Sequence, residues 1–254
     1  MKRITALDIS FYQFDIFAPF SDEIVHGVFP RGENDSLNIS FEHGEAHEVL
    51  KHRKIICDTL SFLSALGSSF SLISAKQIHS NNIAIISEPK MIFGHRDEIP
   101  DTDSFISDRK NILLMVKTAD CQPVLMYDPV KHVIANVHSG WRGTIQNIAG
   151  KTVSHLVSDF GSRPQDILVG IGPSLGPCCS EFNERDKDFK GFESYFLNEN
   201  KVDLRKITID HLRETGVFSI ECSDICTQCF QSDFFSYRGD NPDRGRFATV
   251  IGRL

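Results

Sequence analysis

Long hydrophobic runs are missing from this 254-residue sequence. The longest aliphatic block, Ile112 to Val116 (ILLMV), is far short of the ~20 residues that a membrane-spanning helix needs, so no membrane partner is expected. No secretory leader is expected either, because Asp8, Gln13 and Asp15 interrupt the apolar stretch that should follow Lys2 and Arg3. The chain is expected in the cytoplasm. Excess positive charge is also absent: 27 Lys and Arg stand against 34 Asp and Glu, a net charge of −7. That balance excludes a broad electrostatic footprint for nucleic acid and leaves room for a local basic pocket. Small-molecule partners are the expectation.

No fixed-period repeat, low-complexity tract or Pro/Gly/Ser-rich linker divides the chain, so a single domain over 1–254 is expected, as a monomer or homodimer. A domain of this length buries roughly three quarters of the surface its unfolded chain exposes and needs no covalent staples. The seven cysteines are an odd number, and without a leader they read as reduced thiols, some of which could bind metal.

What is present is a strand-rich pattern broken by a few helices. After a polar loop over 31–45, Val49, Leu50, Ile56, Leu60, Leu63 and Leu66 recur at helical spacing from Ala46, with Gly67 as the stop. The stretch SLISAKQIHSNNIAIIS predicts two strands joined by a turn at Ser80, Asn81 and Asn82, with His79 at a strand end. Three more strands follow in ILLMVKTADC, PVLMYDP and HVIANVHSG, the last two turning at Asp128 and Pro129. Thr144 to Phe160 carries the clearest helical stripe and ends at Gly161. DILVGIGPSLGP predicts a buried strand, LRKITIDHLRETG a helix closed by Gly216, and RFATVIGRL a final strand. Helices and consecutive strands together predict an α+β fold in three layers, a mixed β-sheet core flanked by helices.

Cys121 and His138 end neighbouring strands, seventeen positions apart, and a hairpin between them would bring the two side chains together. His79, at another strand end, could join them. A Cys/His/His set suits zinc and leaves a fourth position open for water or substrate. The same residues also fit a thiol nucleophile with its histidine, or a buried thiol beside a satisfied imidazole. Gly140 and Gly143 flank Trp141 and Arg142 at a strand-to-helix junction, where free backbone N–H groups and the Arg142 fork predict an anion site. The same glycines would equally serve a plain turn. Asp120, beside the cysteine, is either a partner for an imidazole, a proton carrier or a turn carboxylate. In FFSYRGDNPDRGRF, aromatic rings could stack on a base while Arg238 or Arg246 meets phosphate, or the segment is a packed corner with solvated arginines. Cys222, Cys226 and Cys229 make a C-x3-C-x2-C run, half of a zinc site or a redox pair, with no second CxxC nearby, and the adjacent Cys178 and Cys179 are a poor geometry for shared ligation, so core or partly buried thiols are expected there.

The blocks LISAKQIHSNNI, DTDSFIS, VKTADCQPVLMYDP, VIANVHSGWRGT, ILVGIGPSLGPCCSEF, SDICTQCF and the C-terminal FFSYRGDNPDRGRFATVIGRL resemble, in order and spacing, the YfiH-like family, which carries the older label of multicopper polyphenol oxidase or laccase-domain protein. The resemblance implies a fold like that of the cysteine hydrolases. It implies a zinc-dependent enzyme that cleaves adenosine, inosine, guanosine and methylthioadenosine with phosphate and also deaminates adenosine. Metal ligation carries over to His79, Cys121 and His138, and Asp120 and Arg142 become candidates for the chemistry. Asn38, Gln77, Arg142 and Arg238 become candidates for nucleoside and phosphate contacts. Ser139 stands where an alanine is more common, and Gly239 where a second arginine is often found. Copper is the less favoured cofactor: multicopper oxidation draws on many histidines, usually as HxH pairs, and this chain has ten histidines and no such pair.

Overall fold

The computed structural model describes residues 1–33, 37–64, 69–89, 94, 97–198, 200–239 and 244–254. The chain opens with β1 (Lys2–Ala6), β2 (Ile9–Gln13) and β3 (Ile24–Phe29), followed by α1 (Ala46–Leu63). Then come β4 (Ser71–Ile73), β5 (Ile83–Ile85), β6 (Ser104–Ser107), β7 (Ile112–Thr118), β8 (Gln122–Asp128) and β9 (Val133–Ser139). The remaining elements are α2 (Trp141–Ile145), α3 (Ile148–Phe160), β10 (Leu168–Ile171), α4 (Arg185–Asp188), α5 (Leu204–Glu214), β11 (Ser219–Cys222) and β12 (Phe247–Arg253). No helix among the described residues is long and apolar enough to cross a membrane.

The strands form two six-stranded sheets, in the orders β1-β2-β3-β12-β7-β4 and β11-β10-β8-β9-β6-β5. Both are mixed: β4 with β7, β5 with β6 and β10 with β11 are parallel, and the other neighbours are antiparallel. Alternation along the central strands divides their side chains between separate cores. Ile112, Leu114 and Val116 of β7 join Leu125 and Tyr127 of β8 and Ile134 of β9 in a core between the sheets. Leu113 and Met115 face outward with Ile56 and Leu60 of α1, whereas Val124, Met126, Val133, Ala135 and Val137 pack with Val153 and Leu156 of α3. Each such fully buried aliphatic side chain contributes about 1.5–3 kcal/mol.

The class is α+β with mixed sheets, but there are two sheets between the helices, so the layers number four rather than three. The reason is visible in ILLMV. A strand apolar on both faces announces that both are covered without saying whether a helix or a second sheet covers them.

Two other expectations change. β4 and β5 do not form a hairpin; one lies in each sheet, and the segment 74–82 crosses between them carrying Gln77 and His79. The helix expected over Thr144 to Phe160 begins earlier, as α2, and breaks at Asn147, which adopts φ 57° and accepts a 2.9 Å hydrogen bond from the Gly150 N–H as the cap of α3. Its end at Gly161, with φ 71°, is as predicted. The N-terminal hairpin of β1 and β2, turning through Leu7 and Asp8 at positive φ, was not anticipated. α1 ends at Leu63, and the expected stop at Leu66 and Gly67 lies outside the described residues.

Candidate metal centre and its pocket

The β8–β9 hairpin pairs Pro123 with His138 and Gln122 with Ser139, so Cys121, just ahead of β8, sits beside the end of β9. Asp128 closes the far end by accepting from the N–H groups of Val130 (2.8 Å) and Lys131 (3.1 Å). His79 arrives from the segment that crosses between the sheets, in a left-handed conformation at φ 61° that a non-glycine residue holds only when its surroundings impose it. One donor atom from each of His79, Cys121 and His138 lies within 4.8 Å of the others. The two imidazoles meet edge to face at 4.9 Å.

A carboxylate that carried no role in the sequence reading organises this group. Asp103, completely buried, accepts from Nδ1 of His138 at 2.7 Å and from the backbone N–H groups of His79 (3.1 Å) and Ser80 (2.7 Å). Nε2 of His138 is thereby left to face the thiol. The available signal was the block DTDSFIS, where an acidic residue opens a strand that is otherwise apolar or small. Gly140 fits between the donors because it has no side chain: a Cβ there would stand 2.8 Å from the His79 ring and 3.2 Å from the Cys121 sulfur.

Burial by itself pushes the Cys121 thiol up, but the His138 and His79 imidazoles beside it bring it down to about 6. Burial pushes His138 down, and the Cys121 sulfur and Asp103 outweigh it, raising the imidazole to about 9. Each group thus favours the charged form of the other.

The donors open onto a cavity of about 560 Å³. Its walls include Trp141, Phe182 and Tyr237 as aromatic faces and Lys117, Arg142, Arg238 and Arg246 as cations. Arg142 lies over the Trp141 ring at 4.2 Å and Arg238 over Phe182 at 4.9 Å. Lys117 is held by both oxygens of Glu98, at 2.7 and 2.8 Å.

Several expected contacts take different forms. Asp120 reaches neither imidazole; its carboxylate accepts from the hydroxyls of Thr227 (2.6 Å) and Ser236 (2.7 Å) and from the Arg238 N–H (2.8 Å). Gln77 lines the cavity, yet its amide exchanges two 2.8 Å hydrogen bonds with the backbone of Lys117, tying the crossing segment to the end of β7. Asn38 is not among the lining residues. It stands behind the wall, accepting from the N–H groups of Ser40 (3.1 Å) and Arg246 (3.0 Å), which themselves line the cavity. α2 spans five residues before the chain breaks at Asn147, so the dipole expected behind an anion near Arg142 is that of one short turn.

A family model described as multi-copper polyphenol oxidoreductase laccase matches residues 25–254. The chain belongs to this family. Among relatives of this laccase-like family, a purine nucleoside phosphorylase of Clostridium acetobutylicum is 39% identical over 241 residues, covering 92% of this chain and 94% of that protein. The purine nucleoside phosphorylase YlmD of Bacillus subtilis is 29% identical over 233 residues, covering 86% and 82%. The crystal structure of YlmD from Geobacillus stearothermophilus superposes with a TM-score of 0.84 at 25% identity, covering 100% of this chain and 98% of that one. The first two relatives are named as purine nucleoside phosphorylases, although the family label is that of a laccase.

Proposed function

We propose that this chain is a zinc-dependent purine nucleoside phosphorylase that cleaves adenosine, inosine and guanosine with phosphate, treats methylthioadenosine likewise and deaminates adenosine. The observation that carries the reading is the donor set of His79, Cys121 and His138 opening onto a cavity with aromatic and cationic walls. The donors fit zinc: one thiolate and two imidazoles are among its preferred ligands, and the Asp103 bond leaves only Nε2 of His138 for the metal. Three protein donors leave a fourth position open, as catalytic zinc sites do. Zinc bound there would act as a Lewis acid on a phosphate or water oxygen. Copper of the multicopper kind does not suit a group with two imidazoles, in a chain of ten histidines without an HxH pair.

The remaining work falls to the chain's own residues. Arg142 and Arg238 offer guanidinium forks for phosphate oxygens, and the rings beneath them restrict how those forks move. Trp141, Phe182 and Tyr237 offer faces on which a purine can stack. Phosphorolysis develops positive charge on the ribose and negative charge on the departing base, so an anion held against C1′ and donors near the purine stabilise the transition state. Asp120 holds the Arg238 segment in place, and Gln77 holds the His79 segment.

One observation favours a second reading. Cys121 lies beside His138, whose Nδ1 is held by Asp103, and the two favour each other's charged forms, as in the nucleophilic pair of a metal-free Cys-His hydrolase. A single experiment separates the two. Inosine with phosphate should yield hypoxanthine and ribose 1-phosphate, and adenosine should yield adenine and inosine, all resolved by chromatography. Chelation should stop turnover and zinc should restore it, and zinc should protect Cys121 from alkylation. Turnover that persists in zinc-free protein, releases free ribose without consuming phosphate and dies on alkylation would establish the hydrolase instead.

A further inference from the structure

The fold gathers a second set of donors that none of the site chemistry uses. The loop after β10 carries Cys178 and Cys179, the segment after β11 carries Cys226 and Cys229, and one sulfur from each lies within 4.8 Å of the other three. The sequence separates these pairs by about fifty positions, so no second CxxC near Cys226 and Cys229 betrays the set. Parallel pairing of β10 with β11 continues past both strand ends as a bridge from Ser174 to Cys226, and that bridge delivers the vicinal pair to the CxxC.

We propose that Cys178, Cys179, Cys226 and Cys229 bind one zinc ion in a closed four-thiolate site, distinct from the three-donor set at His79, Cys121 and His138. The Cys229 sulfur stands 3.7 Å from that of Cys178 and 3.6 Å from that of Cys179. A tetrahedron with Zn–S bonds of about 2.3 Å has edges of about 3.8 Å, whereas a disulfide requires about 2.05 Å. Four sulfurs this close also suit a single ion better than an iron–sulfur cluster, in which the thiolates bind separate irons. The backbone prepares the site as well. The Gly176 N–H points at the Cys226 sulfur from 3.2 Å, a donor that favours thiolate over thiol. Gly176 has no room for a side chain, since a Cβ would lie 2.9 Å from the Cys226 Cβ and 3.2 Å from the Cys178 sulfur. On binding, each thiol gives up its proton and the ion accepts four Zn–S bonds, with no change of oxidation state.

A closed site has no position for substrate, so its role is to hold the pocket wall. One tethered segment supplies Leu175 and Phe182 to the cavity, and the other supplies Tyr237 and Arg238. Thr227, next to Cys226, bonds the carboxylate of Asp120, next to Cys121. The proposal stands whether or not the nucleoside reading does.

Elemental analysis of protein purified without chelator should find two zinc ions per chain. Cys178→Ser and Cys229→Ser should each reduce this to one, as should His138→Ala, and Cys222→Ser should leave two. Replacing zinc with cobalt(II) should produce the intense sulfur-to-cobalt absorption of a tetrathiolate site in His138→Ala and abolish it in Cys229→Ser. If the serine variants fail to fold, His138→Ala decides alone, and absence of that absorption overturns the proposal. One zinc per wild-type chain, unchanged in Cys229→Ser, overturns it too, as does a mass loss of about 2 Da tracing to a disulfide within the four.

Discussion

Nδ1 of His138 and Oδ1 of Asp103, thirty-five positions apart, are joined by a 2.7 Å hydrogen bond. Both side chains are almost wholly buried. The same carboxylate receives the backbone N–H groups of His79 and Ser80 and the Ser80 hydroxyl, so one aspartate aims two of the three candidate donors. Burial raises its affinity for a proton, but the bonds from His138 and Ser80 outweigh that and hold the carboxyl below its usual range. Asp103 is a positioning residue, because it acts through His138 and His79 without facing the cavity.

Asp103→Ala should therefore weaken zinc binding about 10- to 100-fold, the usual cost of losing a ligand's hydrogen-bond partner. Competition against a chromophoric chelator measures it directly. Saturating zinc should restore much of the turnover, and Asp103→Asn, which keeps an acceptor oxygen, should fall between the two. An unchanged zinc affinity in Asp103→Ala would remove Asp103 from the site.

Gly140 tests the packing of the donors. Its φ of −70° suits any residue, so the glycine is there for space and not for backbone freedom. In Gly140→Ala the new methyl would press on the His79 ring, and either the ring or the β9 end must shift. We expect the fold to survive, by far-ultraviolet circular dichroism, while metal content falls below half an equivalent at the three-donor site and turnover falls at least 10-fold, a displacement of about 1.4 kcal/mol.

Stability should carry a separate pH signature from His26. This imidazole is buried on β3 against Phe14 and Phe17, and its Nε2 accepts the Phe14 N–H at 2.9 Å. Burial pushes it down to about 4 from 6.5. The folded state thus holds a neutral ring, and the unfolded chain binds the extra proton between those values. Stability contributed by the neutral ring is complete above pH 6.5 and is lost as pH falls toward 4, by about 3 kcal/mol in all. Urea midpoints measured from pH 7 to pH 4.5 should fall, and His26→Gln should flatten the slope at some cost in overall stability.

How much of this was legible follows from the range of the forces involved. The pairing of Cys121 with His138 was readable because a hairpin is local: two apolar runs with a turn at Asp128 specify their own register. Asp103 was not, because a buried carboxylate thirty-five positions from its histidine leaves no periodic trace. Asp120 stayed open between an imidazole partner, a proton carrier and a turn carboxylate for the opposite reason. Adjacency to Cys121 suggested a shared task, yet the carboxylate of Asp120, a residue at φ 88°, accepts from Thr227 and Ser236. Asn38 and Gln77 turned out to spend their amides on backbone groups. Polar side chains near a site satisfy buried N–H and C=O groups before they meet a ligand, and sequence does not reveal which main-chain groups are left over. The thiols at 178, 179, 226 and 229 escaped because parallel strands bring together segments with no fixed spacing.

The role of Asp120 can be decided by comparing two substitutions. Its carboxylate joins the Cys121 end of the hairpin to the segment carrying Tyr237 and Arg238, and its carbonyl accepts the Leu175 N–H at 2.8 Å. If it acts by holding that wall, Asp120→Asn should be mild, since asparagine tolerates positive φ and keeps one acceptor oxygen. Asp120→Ala strands three donors, at about 1–3 kcal/mol for each one buried, and strains a left-handed backbone. KM for nucleoside and phosphate should then rise about 10-fold or more in the alanine variant, with zinc content unchanged and both limbs of the pH profile of kcat in place. A proton carrier behaves differently. Both variants would lose one limb of that profile and most of kcat, with little change in KM, and this pattern would return Asp120 to the chemistry and leave Thr227 and Ser236 as the groups that orient it.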